Sequence, residues 1–246
     1  MLKCDFHMHS NEDPFDVLEH DAFELVDHGV RLGYQVLALT LHGRVYFPSE
    51  LQDYAREKGI LMIPGIECYL DRKEVLILGV MQADVKGIRT LQDLRAFKKE
   101  RGPEMAVIAP HPFYSLNQCL GRKLREFADV FDAVELCHFY TRWWNPNEKA
   151  AKVAREIGKP MIACSDSHEL KWLKHHYCRL QAKPNPKDVF DAIRAGRVEN
   201  VTRPLTESEL ARKMFWLACH EPKRIGRKWG LLSSPESRRS VKSKKA

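Results

Sequence analysis

The 246-residue sequence predicts an α/β fold in which strands alternate with helices around a closed barrel, on three observations. Short β-rich runs alternate with longer amphipathic stretches, the pattern of a sheet whose parallel strands are joined by helices. Seven such runs are found, a number that fits a closed barrel better than a wide open sheet. Histidines and carboxylates recur at the ends of those runs and almost nowhere else in them.

The strands are expected over residues 2–9, 36–42, 61–69, 75–80, 106–111, 133–139 and 160–164. Residues 21–32 read as the first helix, with Phe23, Leu25, Val26 and Val30 on one face. Further helices are expected over 49–58, 91–100, 121–129, 147–157 and 186–195; the fifth in chain order carries Ala150, Ala151, Val153 and Ala154 on its apolar side. Gly196-Arg197-Val198 then opens a closing segment, and no internal repeat is visible. One barrel domain is expected over 1–219.

Charge is unevenly placed. The formal +7 is accounted for by residues 220–246, which hold nine Lys or Arg against two Glu, while residues 1–219 are neutral. That last stretch, with Ser233-Ser234-Pro235 and Lys244-Lys245, reads as a solvated, disordered basic tail. Nucleic acid can be attracted to such a tail, but a neutral body does not favour a long nucleic-acid track. No run of 18 apolar residues exists, so no membrane span is expected, and the N-terminus lacks the apolar core of a secretory signal. The seven cysteines show no CxxC spacing; Cys4, Cys68, Cys137 and Cys164 lie in or beside apolar strands, as small buried residues in a reducing, cytoplasmic compartment.

The strand ends carry the chemistry. His7 and His9 close the first strand, His42 the second, Glu67 the third, His111 the fifth and His138 the sixth, while Asp166 and His168 follow the seventh. In a parallel barrel the C-terminal ends of the strands share one face, so these residues converge. The period-two spacing in His7-Met8-His9 sets both imidazoles on one side of a strand, where both can grip one ion. Burying so many polar groups without a partner is costly, and a cluster of divalent metals supplies the partner. Eight or nine ligands exceed what one ion needs and imply two or three. His20, His28, His175, His176 and His220 take structural or surface roles, with the His175–His176 pair the one that can flank the site.

The ordered motifs Asp5-Phe6-His7-Met8-His9-Ser10, Ala38-Leu39-Thr40-Leu41-His42-Gly43, Pro64-Gly65-Ile66-Glu67, Ala109-Pro110-His111-Pro112, Glu135-Leu136-Cys137-His138 and Ser165-Asp166-Ser167-His168 resemble the polymerase and histidinol phosphatase (PHP) superfamily. The resemblance covers roughly residues 1–205 and ends in Ile193-Arg194-Ala195-Gly196-Arg197-Val198, which resembles a recurrent element of the family's small members. It implies a distorted seven-stranded (β/α)7 barrel. It also implies a nine-ligand, three-metal set: His7, His9, His42, Glu67, His111, His138, Asp166, His168 and one residue of the loop 11–16. Asp13 is the first choice for that loop ligand and Asp16 the second. Leu41 stands where the family usually has an Asp supporting the site, and the role of Glu74 is open.

The implied enzyme is a PHP-type hydrolase of phosphoric esters, with manganese, zinc or iron as cofactor and Glu67 as bridging ligand. A metal-bound water, its pKa lowered to about 7, would be the nucleophile. Arg44 and Arg142 are candidates for the substrate phosphate, and Trp143 and Trp144 either stack a ring or anchor a rim loop. The expected partner is a small phosphorylated substrate of the nucleotide or sugar phosphate class. The alternatives are an exonuclease-type phosphodiesterase acting on RNA or DNA ends and a metal-binding module without turnover. A metal-dependent amidohydrolase also uses HxH on a barrel strand, but the Glu67 and His111-Pro112 contexts favour the phosphoesterase.

Overall fold

The computed structural model describes residues 1–228, with side chains through His220. In chain order the elements are β1 (Leu2–Asp5), α1 (Ala22–Arg31), β2 (Val36–Leu39), α2 (Ser49–Glu57), β3 (Leu61–Leu70), β4 (Lys73–Leu78), α3 (Leu91–Arg101), β5 (Ala106–Ala109), α4 (Lys123–Glu126), β6 (Ala133–Cys137), α5 (Asn147–Glu156), β7 (Met161–Cys164), β8 (Tyr177–Leu180), α6 (Pro186–Arg194), β9 (Val198–Val201) and α7 (Glu207–Lys228). All seven expected strands are present.

The sheet departs from the expected (β/α)7 count. Among the described residues it has nine strands in the order β7-β6-β5-β4-β3-β2-β1-β8-β9. It is also not all parallel: β4 runs antiparallel to both β3 and β5. The cause is local. Leu70 pairs with Lys73, so only Asp71 and Arg72 form the turn, and both have positive φ (49° and 65°). Two consecutive residues with φ above zero make the tight hairpin whose twist suits paired strands, leaving no length for a helical crossover.

Strands β8 and β9 form an antiparallel pair added to β1, and they nearly close the barrel. The seam between β9 and β7 is bridged by one side chain. Asn200 accepts from the Ala163 N–H at 2.7 Å and donates to the Met161 carbonyl at 2.9 Å, as a strand's own backbone would. Farther along, an isolated parallel bridge between Met8 and Ser167 joins the extensions of β1 and β7.

The barrel interior is filled by Cys4, Phe6, Ala38, Ile63, Leu76, Ile108, Ala133 and Ile162, and α6 plugs one end with Val189, Phe190 and Ile193. Two outer layers cover the strands, one beneath α1 and α2, the other beneath α3 and α5. Gly79 marks a tight contact with the plug: a Cβ there would lie 2.5 Å from the Glu104 carbonyl and 2.9 Å from the Phe190 ring, at φ +80°. The expected helix over 121–129 is reduced to the single turn of α4.

Helix α7 was not anticipated. It starts where Thr206 and Glu209 form a reciprocal cap: the Thr206 hydroxyl accepts from Glu209 N–H, and the Glu209 carboxylate accepts from Thr206 N–H. The helix continues through residue 220, where the basic tail was expected to begin. The rest of that tail, residues 229–246, lies outside the described residues. All seven cysteines are free, and six of them are buried. No described helix is long and apolar enough to cross a membrane.

Candidate metal centre

The site forms where regular pairing ends. Cys4 and Phe6 belong to the inner cluster and Met8 to the outer one, so side-chain alternation slips by one residue between Phe6 and His7. The Asp5 carboxylate occupies the break, accepting from the N–H groups of His7 (3.2 Å) and Ser165 (3.1 Å). The slip turns both His7 and His9 toward the barrel mouth. His111 and Asp166, each just past its strand, have positive φ (25° and 43°). Side chains larger than glycine hold that conformation at a cost, and such strain concentrates at functional sites.

Glu67 is the centre of the group. Its Oε2 lies 3.3 Å from His7 Nε2, 3.4 Å from His9 Nε2 and 3.2 Å from His42 Nε2. Its Oε1 lies 3.7 Å from His111 Nε2. Across from it, Asp166 Oδ1 is 3.4 Å from His7 Nε2, 3.6 Å from His9 Nε2 and 3.5 Å from His168 Nδ1. His138 approaches Asp166 from the side of β6, and both its ring nitrogens are buried without a hydrogen-bond partner.

The two aspartates of the first loop differ in aim. Asp13 Oδ2 accepts from the backbone N–H of His42 at 2.8 Å and faces the Nδ1 atoms of His42 (3.0 Å) and His9 (3.2 Å). Its Oδ1 accepts from the N–H groups of Phe15 and Asp16. Asp13, the first choice as a ligand, thus faces the back edges of two imidazoles. Asp16 Oδ2 instead lies 2.9 Å from His168 Nε2 and 3.4 Å from His42 Nδ1.

Three buried acids complete the shell. Glu135 on β6 places Oε1 3.0 Å from His7 Nδ1, and its Oε2 accepts from His111 N–H at 2.6 Å. Glu74 receives the Tyr69 hydroxyl at 2.7 Å and lies 3.8 Å from His111 Nε2. It reaches the mouth because β4 runs backwards, bringing the start of that strand to the face where the others end. Asp5 was read only as part of a motif, in a strand that also carries Lys3, whereas Glu135 is the lone charge of an otherwise apolar strand.

Burial disfavours charge throughout this cluster, yet Asp166, Glu135 and Glu67 hold His7 well above the ordinary imidazole range. In the same way Asp13, Glu67 and Asp16 hold His42 up to about 10 against its burial. Burial pushes Asp5 up to about 7, and it drives His138, aided by the Lys213 charge, well below the usual histidine range. The cluster therefore demands positive charge at its centre, while His138 offers a neutral lone pair. Imidazole and carboxylate donors in this arrangement fit divalent manganese, zinc or iron.

The substrate side differs from expectation. A cavity of about 370 Å³ opens over Glu67, His111, His138, Asp166 and His168, and neither Arg44 nor Arg142 lines it. Arg44 donates to the Glu12 carbonyl at 3.3 Å and lies over the Tyr46 ring, while Arg142 is exposed. Trp144 does line the cavity, and Trp143 is exposed at the surface. The cation that lines it is Lys213, carried by α7 and missed from sequence. Of the remaining histidines, His20 binds the His9 carbonyl at 2.9 Å, His220 stacks on Trp216, and His176 packs edge-on against His138.

A nearly closed α/β barrel whose strand ends gather imidazoles and carboxylates around one carboxylate defines a candidate metal-binding barrel. Residues 144–198, which contain Asp166 and His168, match the family model described as PHP-associated. No curated protein matches the sequence. Among solved structures, a two-domain protein from Bacteroides vulgatus containing a predicted PHP-like metal-dependent phosphoesterase superposes with TM-score 0.63 at 20% identity, covering 87% of this chain and 69% of that one. PsfC from Pseudomonas syringae gives 0.62 at 16% identity, covering 94% and 99%. The lesion-specific endonuclease EndoQ from Pyrococcus furiosus gives 0.55 at 13% identity, covering 81% of this chain and 57% of that one. At these identities the likeness is one of fold, and the family-model match covers residues 144–198 of the chain.

Proposed function

We propose that this protein is a metal-dependent phosphoesterase that hydrolyses a phosphate ester of a small molecule in the nucleotide or sugar phosphate class. The observation that carries the reading is the equal approach of three imidazole Nε2 atoms, from His7, His9 and His42, to one oxygen of buried Glu67. The ligands fall into three groups by geometry. His7, His9, Glu67 and Asp166 face one another; His111 lies beside Glu67 and His138 beside Asp166; Asp16 gathers with His9, Asp13 and His42, and with His168 at 2.9 Å. Asp13 orients His9 and His42 from behind, and Glu135 does the same for His7. Divalent ions held there supply Lewis acidity toward phosphate oxygens and make a water nucleophilic at neutral pH. The protein's own part is to fix the ligands before substrate arrives, with strained His111 and Asp166 set by their turns. The test is phosphate release from a panel of nucleotides and sugar phosphates with added manganese. Metal-stimulated release supports the reading, and its absence across the panel counts against it.

A second reading, phosphodiester cleavage in nucleic acid, is favoured by a neighbouring cleft of about 790 Å³. That cleft is lined by Phe15, Tyr69, Arg72, Lys73, Asn117 and Gln118 together with the acidic Asp71, and Gln118 also lines the metal-site cavity. A strand could extend along it past two cations. Short RNA and DNA oligonucleotides, assayed beside the small-molecule panel, discriminate the two.

A further inference from the structure

Lys213 is buried, with 5% of its surface exposed. Among the described residues no carboxylate comes within ion-pair distance of its ammonium group, and it makes no hydrogen bond. Its neighbours are two aromatic faces, Trp216 at 5.0 Å and Trp172 at 5.8 Å from the ring centroids. The two rings and the more distant carboxylates of Asp166 and Glu169 compensate this cation only in part. It also lines the same cavity as Glu67, His111, His138, Asp166 and His168, and its charge is felt by both His138 and Asp166. Once cations fill the ligand cluster, a buried lysine beside them is repelled unless an anion lies between. The arrangement asks for one anionic group bound by the metals below and by Lys213 above.

The rest of the cavity wall describes what that anion is attached to. Tyr114, Phe139, Trp144 and Trp216 line it, with Trp144 set edge-on to both Tyr114 (5.6 Å) and Phe139 (5.7 Å). The Tyr114 hydroxyl is already committed to the Phe139 carbonyl at 2.8 Å. Ser115, Gln118 and the indole N–H groups of Trp144 and Trp216 are the uncharged hydrogen-bonding side chains left, few for a substrate that presents only hydroxyls. Aromatic walls suit a flat ring.

Building on the phosphoesterase reading, we infer that Lys213 binds the substrate phosphate, and that the substrate is a phosphate monoester whose alcohol or phenol carries a flat aromatic ring, of the nucleoside or aryl phosphate class. Helix α7 is then the wall that completes the site, supplying the cation and, through Trp216, part of the aromatic lining. Lys213 is a substrate-binding residue and takes no part in holding metal.

The test uses the full chain loaded with manganese, comparing wild type with Lys213→Met, Lys213→Gln and Lys213→Arg. Calorimetric titration with inorganic phosphate should show affinity falling by about tenfold or more in the Met and Gln variants and largely recovering in the Arg variant, with metal content unchanged. KM for p-nitrophenyl phosphate and nucleoside monophosphates should rise in parallel. Trp216→Ala should raise KM for those substrates while leaving inorganic phosphate affinity intact. Ribose 5-phosphate should be the poorer substrate of the wild type. Wild-type phosphate affinity in the folded Met or Gln variant, with equal metal content, overturns the assignment of Lys213. A preference for ribose 5-phosphate overturns the requirement for an aromatic ring. If the wild type turns over no substrate, the phosphoesterase reading fails by itself, and the phosphate titration still decides whether Lys213 binds the anion.

Discussion

One oxygen of Asp13 fixes both the chain and the ring of His42: Oδ2 accepts the His42 backbone N–H at 2.8 Å and faces its Nδ1 at 3.0 Å. The same oxygen faces His9 Nδ1 at 3.2 Å, so a single buried carboxylate sets the direction in which two imidazoles present Nε2 to Glu67. On the proposed reading, orientation and coordination are divided between two aspartates three residues apart, both of which belong to one candidate metal group with His9 and His42.

That division predicts unequal losses. Asp16→Ala should remove one of the bound ions outright, because its oxygen lies between His168 and His42. Asp13→Asn should keep every ion but weaken affinity by roughly 10- to 100-fold, the usual consequence of losing an outer partner. Elemental analysis after graded dialysis against a chelator separates the two outcomes. The reverse pattern would restore Asp13 as the ligand.

Glu135 is expected to matter as much as a ligand while touching no ion. Glu135→Ala frees His7 Nδ1 and strands the buried His111 N–H that now donates to it at 2.6 Å. An unpaired buried donor costs about 1–3 kcal/mol. Chemical denaturation should register that loss, together with weaker metal retention; unchanged stability and metal content would remove Glu135 from the account.

The docking of α7 should weaken in acid. Arg203 forms a two-pronged bond with Glu209 at 2.6 and 2.7 Å, and this guanidinium, more than any other group, holds the carboxyl at about 2 instead of 4.5. A lowered folded-state value means the contribution is complete above the unfolded value and disappears as pH falls from about 4.5 through about 2. Glu209→Gln should cost about 1 kcal/mol at neutral pH and nothing once both proteins are below that window. Thermal unfolding of the pair across pH reads the difference, and a gap that persists at the acid end contradicts the assignment.

Gly79→Ala should destabilise the barrel without touching the chemistry. The added Cβ meets the Glu104 carbonyl at 2.5 Å in a backbone conformation at φ +80°. A loss of about 1–3 kcal/mol is expected, with metal content of the folded fraction unchanged. An Ala variant as stable as wild type would show that the α6 plug yields more easily than its packing indicates.

Much of this was legible in the sequence, and the exceptions share physical causes. The seven strands were visible because each is a compact apolar run closed by a polar residue, and the histidines because they sit where those runs stop. Strands β8 and β9 were harder to read: Tyr177, Arg179 and Glu199 give them half-polar patterns, suited to a pair at the barrel seam with a partly exposed face. The reversal of β4 was hidden because Asp71-Arg72 lacks the glycine that usually marks a two-residue hairpin. Glu74 was obscured with it, since a parallel strand would have carried that residue to the opposite end. Lys213 left a fainter trace, a lysine three positions before Trp216 on one helical face. It lies ahead of the basic stretch 220–246, in a segment for which no helix was expected, and only the folded helix shows that it turns inward.

The most direct test of the central claim is elemental analysis of the full chain purified without chelator, with His9→Ala beside it. Wild type should carry roughly two to three divalent ions per chain, and His9→Ala should lose them while keeping its circular dichroism spectrum. A wild-type chain that holds no manganese, zinc or iron and takes up none when they are offered would contradict the account, leaving a barrel whose strand-end histidines and carboxylates serve only each other.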